Sequence, residues 1–331
     1  MKPVKWSLLH AALGTLLSSV ACGAPLPTVG GPLLQAIAAT PAGDWTRVNL
    51  NLYSDSWTPP QHRPLMGLSN PSPENIISSW SSFAWDTLRG DVILYGGGHA
   101  NYPGNDVYRW RSSSMRWERA SLPSAITSIY ATGAIMAIDG ADAAPASAHT
   151  YDNNLYLPIL DRFLTFGGAI VGSGGYYARP HDSIVGEYQQ TGPYFFDPAR
   201  SDPWKVGGTT GSHVQRVAPF PWIVGGNMWH NRDHFRTIPT HPQPAKHVSG
   251  CTAYAEEDGV DIVYVGATSG SGSNPSLYRY SFPDVANPAL DQFDRYNAES
   301  VTILQNILLL LLGIILFSGN IRMAGMTITL E

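Results

Sequence analysis

Cysteine is nearly absent, with only Cys22 and Cys251 in 331 residues. Cys22 lies where an export signal would be cut, so a mature chain is expected to have no internal disulfide and must rely on packing. Cys251 reads as a small buried strand residue rather than a reactive thiol. Charge is scarce as well, at 14% Asp, Glu, Lys and Arg against the usual quarter. The formal net charge is -5 and Lys and Arg nowhere cluster, which argues against nucleic acid, because that binding needs cations to meet phosphates. There is no Gly-x-Ser-x-Gly elbow, Walker loop, paired-Cys zinc pattern or dinucleotide fingerprint, so the common nucleophile and cofactor templates fail and no cofactor is expected. Present instead are 33 Gly, 26 Pro, 10 Trp and 16 Tyr. That is the composition of a turn-rich, aromatic-packed, all-β protein.

An apolar strand running into small residues and followed by an aromatic triplet occurs three times. The copies are Val92 to Gly97 with Tyr108-Arg109-Trp110, Phe163 to Gly168 with Tyr194-Phe195-Phe196, and Ile262 to Ala267 with Tyr278-Arg279-Tyr280. In the first and third copies the first Gly precedes the Tyr by 12 residues. Upstream, Ser82 to Trp85, Ala148 to Tyr151 and Cys251 to Tyr254 fall into register as a leading aromatic strand. A fourth strand is expected at Trp117 in the first copy, at Trp204 in the second, and at Phe293 in the third. Repetition of one four-stranded antiparallel unit, with Gly where backbones crowd, predicts β-propeller blades.

The chain here resembles the kelch-repeat family, the superfamily of galactose-oxidase-like central domains, over roughly residues 80 to 297. The best match is Val92 to Trp117. The resemblance implies an all-β kelch-type propeller over 44–300, with three clear blades and a fourth degenerate one around Trp222 to Gly226. The ring is expected to be incomplete. Copper-radical oxidases share this blade pattern and need a Tyr cross-linked to Cys. Cys251 is the one mature candidate, at a repeat position also held by Ser82 and Ala148, so this oxidase chemistry is not favoured.

Residues 1–22 read as an export signal: Lys2 and Lys5, an apolar stretch from Trp6 to Leu17, and small Ser19 and Ala21 before the cut. Cutting before Cys22 would also present it for lipidation, although Ser19 stands where a lipobox carries Leu. Residues 23–43 read as a linker, and Trp45 to Leu50 as a strand with alternating polarity. From Val301 the composition turns apolar, and 301–331 forms a tail. Its 301–317 segment as a helix of about 17 residues would rise about 26 Å, the short limit for a bilayer core. It is expected to be an apolar helix acting as a membrane anchor; a buried apolar segment or a replacement for blades are the alternatives.

Propellers bind ligands through loops near the central channel. The first candidate loop follows the Gly pair and offers His99, Asn101, Tyr102, Asn105 and Asp106, the donors and acceptors a sugar or peptide needs. The second offers Trp229, His230, Arg232 and Asp233, with His230 and His234 four apart; Gly225-Gly226 before it and Pro239 after it argue for a loop rather than a metal-binding helix. The third is His181 in the long Gly- and Tyr-rich insertion. His149 reads as a packed residue inside a strand. The expected function is an exported, non-enzymatic module binding a glycan or protein ligand. The alternatives are a metal-free sugar isomerase or lyase with His99 or His181 as base, and a truncated, non-functional propeller.

Overall fold

A computed structural model describes residues 31–64, 71–99, 101–129, 133–210, 225–241, 247–248, 250–268 and 275–296, and a short strand pair further on. Helix α1 (Gly31–Ala39) occupies what the composition marked as linker, because Leu33 to Ala39 are mostly good helix formers. Helix α2 (Glu74–Ser78) precedes the first sheet. That sheet is β1 (Phe83–Asp86), β2 (Asp91–Leu94), β3 (Tyr108–Arg111) and β4 (Arg116–Arg119), antiparallel and in chain order. Its first turn is set locally: Asp86 Oδ1 accepts from the backbone N–H of Leu88 and Arg89, each at 3.0 Å, and Gly90 takes φ +68°.

A hairpin of β5 (Ile126–Ile129) and β6 (Ala134–Ala137) follows. The second sheet runs β7 (Asn154–Leu157), β8 (Arg162–Thr165), β11 (Tyr194–Phe196) and β12 (Trp229–Asn231), with the hairpin β9 (Tyr177–Pro180) and β10 (Tyr188–Thr191) inserted between β8 and β11. Helix α3 (His234–Thr237) leads toward the third sheet: β13 (Cys251–Glu257), β14 (Val260–Thr268), β15 (Pro275–Phe282) and β16 (Gln292–Tyr296). Strands β17 (Ile321–Met323) and β18 (Met326–Ile328) pair with each other.

The pairing fixes which residues of the three sheets correspond. Across each sheet run Trp85–Val92–Trp110–Trp117, Tyr156–Phe163–Phe196–Trp229 and Tyr254–Val263–Tyr280–Phe293. The alignment of Trp85 with Tyr254, and Phe293 as the third sheet's counterpart of Trp117, follow the sequence reading. Two assignments in the second copy do not. Its leading strand is Asn154–Leu157 rather than Ala148 to Tyr151, and its fourth-strand aromatic is Trp229 rather than Trp204. The loops before β7 and β12 are long, so an aromatic at the expected spacing falls in the loop.

No strand forms at Trp45 to Leu50. This segment still meets the first sheet, because Leu50 N–H donates to Met115 O at 2.7 Å. The Asn51 amide accepts from Trp117 N–H at 2.7 Å and donates to Trp117 O at 3.0 Å, giving edge strand β4 the partners that a neighbouring strand would supply. Cys251 is exposed, not buried.

Each sheet presents the aromatic row on one face and a mixed row on the other, Ala84–Ile93–Arg109–Glu118 in the first sheet and Leu155–Leu164–Phe195–His230 in the second, as alternation along strands requires. The aromatic face of the second sheet packs with Ala84 and Ile93 of the first. The aromatic face of the third packs on Leu157, Leu164 and Phe195 of the second. Strand β7 lies beside both β1 and β13. At the centre of the first interface Trp229 meets Phe196 and Tyr95 edge-on, with centroids at 5.0 and 5.1 Å; such pairs contribute ~0.5–1.5 kcal/mol each beyond burial. The described residues are therefore all-β, built on four-stranded antiparallel sheets, and no closed ring of sheets occurs among them.

The expected export signal with Cys22, the strand at Trp222 to Val224 and the apolar 301–317 segment lie outside the described residues. Among the described residues no helix is long and apolar enough to cross a membrane.

Candidate ligand-binding site at the glycine turns

Strands β2 and β8 both leave their sheets through glycines in the left-handed region, Gly96 and Gly97 at φ +142° and +81°, Gly167 and Gly168 at +86° and +153°. Between these turns runs the segment carrying His149. Its backbone exchanges two hydrogen bonds with Ala169, at 2.9 and 3.1 Å, and Gly98 N–H donates to Ala148 O at 3.1 Å. A Cβ on Gly98 would run into the Ala148 backbone, and one on Gly168 into the His149 carbonyl. The small residues of the repeat are thus needed to let His149 lie between the two sheets.

The His149 ring collects its neighbours from three segments. Its Nε2 lies 2.8 Å from Asn101 Oδ1; an amide oxygen can only accept, so Nε2 carries the proton and Nδ1 keeps the lone pair. The His99 ring is 5.2 Å away, the Trp80 ring 5.0 Å and the Tyr151 ring 6.3 Å. Burial, and then the nearby His99, push the His149 imidazole down to about 4. It is therefore neutral at physiological pH. Trp80 is 64% exposed while His149 is 3% exposed. Trp80, His99 and Tyr151 all adopt positive φ, at +49°, +52° and +50°. For side chains of this size that conformation costs roughly 1–3 kcal/mol each.

Of the first candidate loop, His99 and Asn101 join this cluster and the other three residues do not. Asp106 is buried and accepts from Thr58, Tyr102 and Tyr108 hydroxyls at 2.5, 3.0 and 2.5 Å; burial pushes its carboxyl up against those bonds. Asn105 ties Ser124 N–H and Pro145 O. Tyr102, Asn105 and Asp106 staple the loop.

The second candidate segment is not an open loop. It is edge strand β12 followed by α3. Trp229 is core, and His230 is paired with Phe195 in the ladder. Arg232 is wholly buried against Asp291. Asp233 is held by Arg179 at 2.8 Å and Thr191 at 3.0 Å. The extended ladder carries His230 and His234 into different elements, and among the described residues no group of His, Cys, Asp and Glu could hold a metal. His181 stands apart, its Nδ1 accepting from Ser183 and Ile184 N–H at 3.1 Å each. That lone pair is spent on a turn.

Trp80, His149 and Tyr151 are the members that spacing did not pick out. The usable signal was Trp80 itself, a large aromatic within Ser78-Ser79-Trp80-Ser81-Ser82, where no apolar pattern asks for it. Chemically the cluster offers a flat ring open to solvent beside an amide and two imidazoles, one of them fixed as a neutral donor and acceptor. Comparison with protein-family models, curated proteins and solved structures finds no match to this chain.

Proposed function

We propose that this chain is a kelch-type propeller module, built of an incomplete set of blades, that binds a glycan at the glycine turns. The stacked order of the sheets supports the fold reading: in both interfaces the aromatic row of one sheet packs on the opposite face of the one before it. The observation that carries the function is Trp80, exposed and held in a left-handed conformation against a neutral His149 whose Nε2–H is committed to Asn101. A sugar ring stacks its C–H face on Trp80 and places hydroxyls against His99 and Asn101, with His149 holding Asn101 in place. The opening segment with its basic start and apolar run supports export, which is where such a ligand is met.

Screening the purified protein against a glycan array, followed by calorimetry on the best hit, tests this. Trp80→Ala and the double variant His99→Ala/Asn101→Ala are each expected to weaken binding at least ~10-fold, about 1.4 kcal/mol. No glycan bound, or a bound glycan indifferent to both variants, would remove the reading.

A further inference from the structure

Two surfaces of the three-sheet stack receive no neighbouring sheet among the described residues, and they correspond to the two halves of an interface that the molecule already makes twice. The aromatic face of the first sheet is the first of them: Phe83 is 61% and Trp85 38% exposed. An apolar groove of about 460 Å³ remains there between Val92, Leu94 and Trp110 of the sheet and Val48, Asn49 and Ile77, which cover part of the face, while Tyr53 packs on Trp117 at 5.2 Å. Its counterparts in the second and third sheets, Tyr156 to Trp229 and Tyr254 to Phe293, are the faces that dock on a preceding sheet.

The second is the outward face of the third sheet. By the register it repeats the face with which the first sheet receives the second. Ala253 stands for Ala84, Arg279 for Arg109 and Asp294 for Glu118, while Tyr264 stands where the first sheet has Ile93. An Arg–acid pair across the last two strands recurs, Arg109 with Glu118 and Arg279 with Asp294 at 3.3 Å, although Arg279 lies closer to Glu257, at 2.6 Å. In the first sheet Ala84 is 3% exposed beneath the second sheet, and Arg109 reaches across it to Pro198 O at 3.4 Å. In the third, Ala253 and Cys251 face solvent.

We propose that the aromatic face of the first sheet is a docking surface for the third sheet of a second copy of this chain. The pairing is head-to-tail, so a single contact would leave one end of each copy free. Two copies joined at both ends bring together six such sheets, within the four to eight at which propeller rings close. The inference rests on the propeller reading of the fold but not on the glycan one, whose residues it does not use.

The internal interface also names a contact to test. Ser82 and Asn154 correspond to Cys251 and Phe83, and Asn154 Nδ2 donates to Ser82 O at 3.0 Å between the first and second sheets. Cys251 of one copy should therefore lie beside Phe83 of the next. Sedimentation of the full chain at micromolar concentration is expected to show a dimer, and F83D a monomer whose melting temperature matches that of the native chain diluted until it is monomeric. In a C22S background, which leaves Cys251 the one native thiol, mild oxidation of F83C should give a disulfide-linked dimer that is lost in F83C/C251S; this readout needs no disruptive substitution and decides the matter if F83D fails to fold. A monomer at all concentrations overturns the proposal. So does a cross-link that survives C251S, which would place Phe83 against itself, or a ladder of trimers and longer species, which would deny closure at two copies.

Discussion

Removing the guanidinium of Arg232 should be among the most damaging single changes in this protein. Its side chain and that of Asp291 are both at 0% exposure. Nε and Nη2 bind the two carboxylate oxygens at 2.8 and 2.6 Å, and the remaining donors reach Val285 O at 2.5 Å and Asp284 O at 2.7 Å. The cation also lies 4.7 Å from the Phe195 ring centroid. Arg232→Ala leaves a buried carboxylate whose remaining charge-capable neighbour is His234, 2.8 Å from Oδ2, and strips a partner from each of two carbonyls. Breaking a buried pair from one side costs about 3–5 kcal/mol. Urea unfolding followed by tryptophan fluorescence measures it. Because the loss comes chiefly from the orphaned carboxylate, Arg232→Ala/Asp291→Ala should cost less than the sum of the single changes by ~2–3 kcal/mol. His234 supplies a further signature. In the native protein burial outweighs Asp291 and holds its imidazole down. Burial is the chief cause and the Arg232 charge a lesser one, so removing the guanidinium moves the folded value part of the way back toward the unfolded ~6.5. A group held down in the folded state contributes stability above pH ~6.5 that is lost as pH falls, and the variant loses less of it, so its deficit shrinks on mild acidification. A loss under ~1 kcal/mol, or additive single changes, would refute the account.

Acid should weaken the native protein through two imidazoles. Burial pushes both His149 and His247 down to about 4, with His99 assisting at the first and His234 at the second. The unfolded chain takes up these protons near pH 6.5 and the folded one does not, so their contribution is present above pH ~6.5 and declines as pH falls toward 4. Unfolding midpoints measured between pH 7 and 4.5 should fall, and His247→Phe should flatten the slope; an unchanged slope would contradict the assignment. Gly168→Ala is expected to lower both stability and glycan affinity, since its Cβ would displace the His149 carbonyl at a φ of +153°. Backbone strain of this kind costs several kcal/mol, on the order of 3, and a variant with native melting temperature and affinity would show that the close approach is not required.

What could be read in advance was set by local chemistry. The apolar strands, the glycine turns and the aromatic cross-strand rows follow from alternation and from residues that only one backbone conformation admits. What could not be read was set by partners distant in sequence. Arg232 looks like a loop cation until Asp291, 59 residues on, is brought beside it. Asp106 looks like an open carboxylate until Thr58, 48 residues back, closes over it. His149 reads as strand interior, and it is indeed buried, but its position between two glycine turns gives it contacts with His99 and Trp80 that no spacing encodes.

The identical 12-residue interval from Gly96 to Tyr108 and from Gly266 to Tyr278 illustrates the same limit more sharply. In the first sheet Tyr108 pairs with Leu94, two residues before Gly96. In the third, Tyr278 pairs with Val265, one residue before Gly266. Since a shift of one residue turns a strand over, the two glycines cannot occupy equivalent places. Gly96 turns out of the sheet at φ +142°, whereas Gly266 stays inside β14, opposite Cys251 and Leu277. Ala267 is the residue in register with Gly96, and Ala tolerates it because β14 runs on to Thr268 instead of turning away. The third sheet therefore lacks the glycine turn that brings His149 between the first two. The candidate site is confined to the junction where both neighbouring sheets keep their glycine pairs.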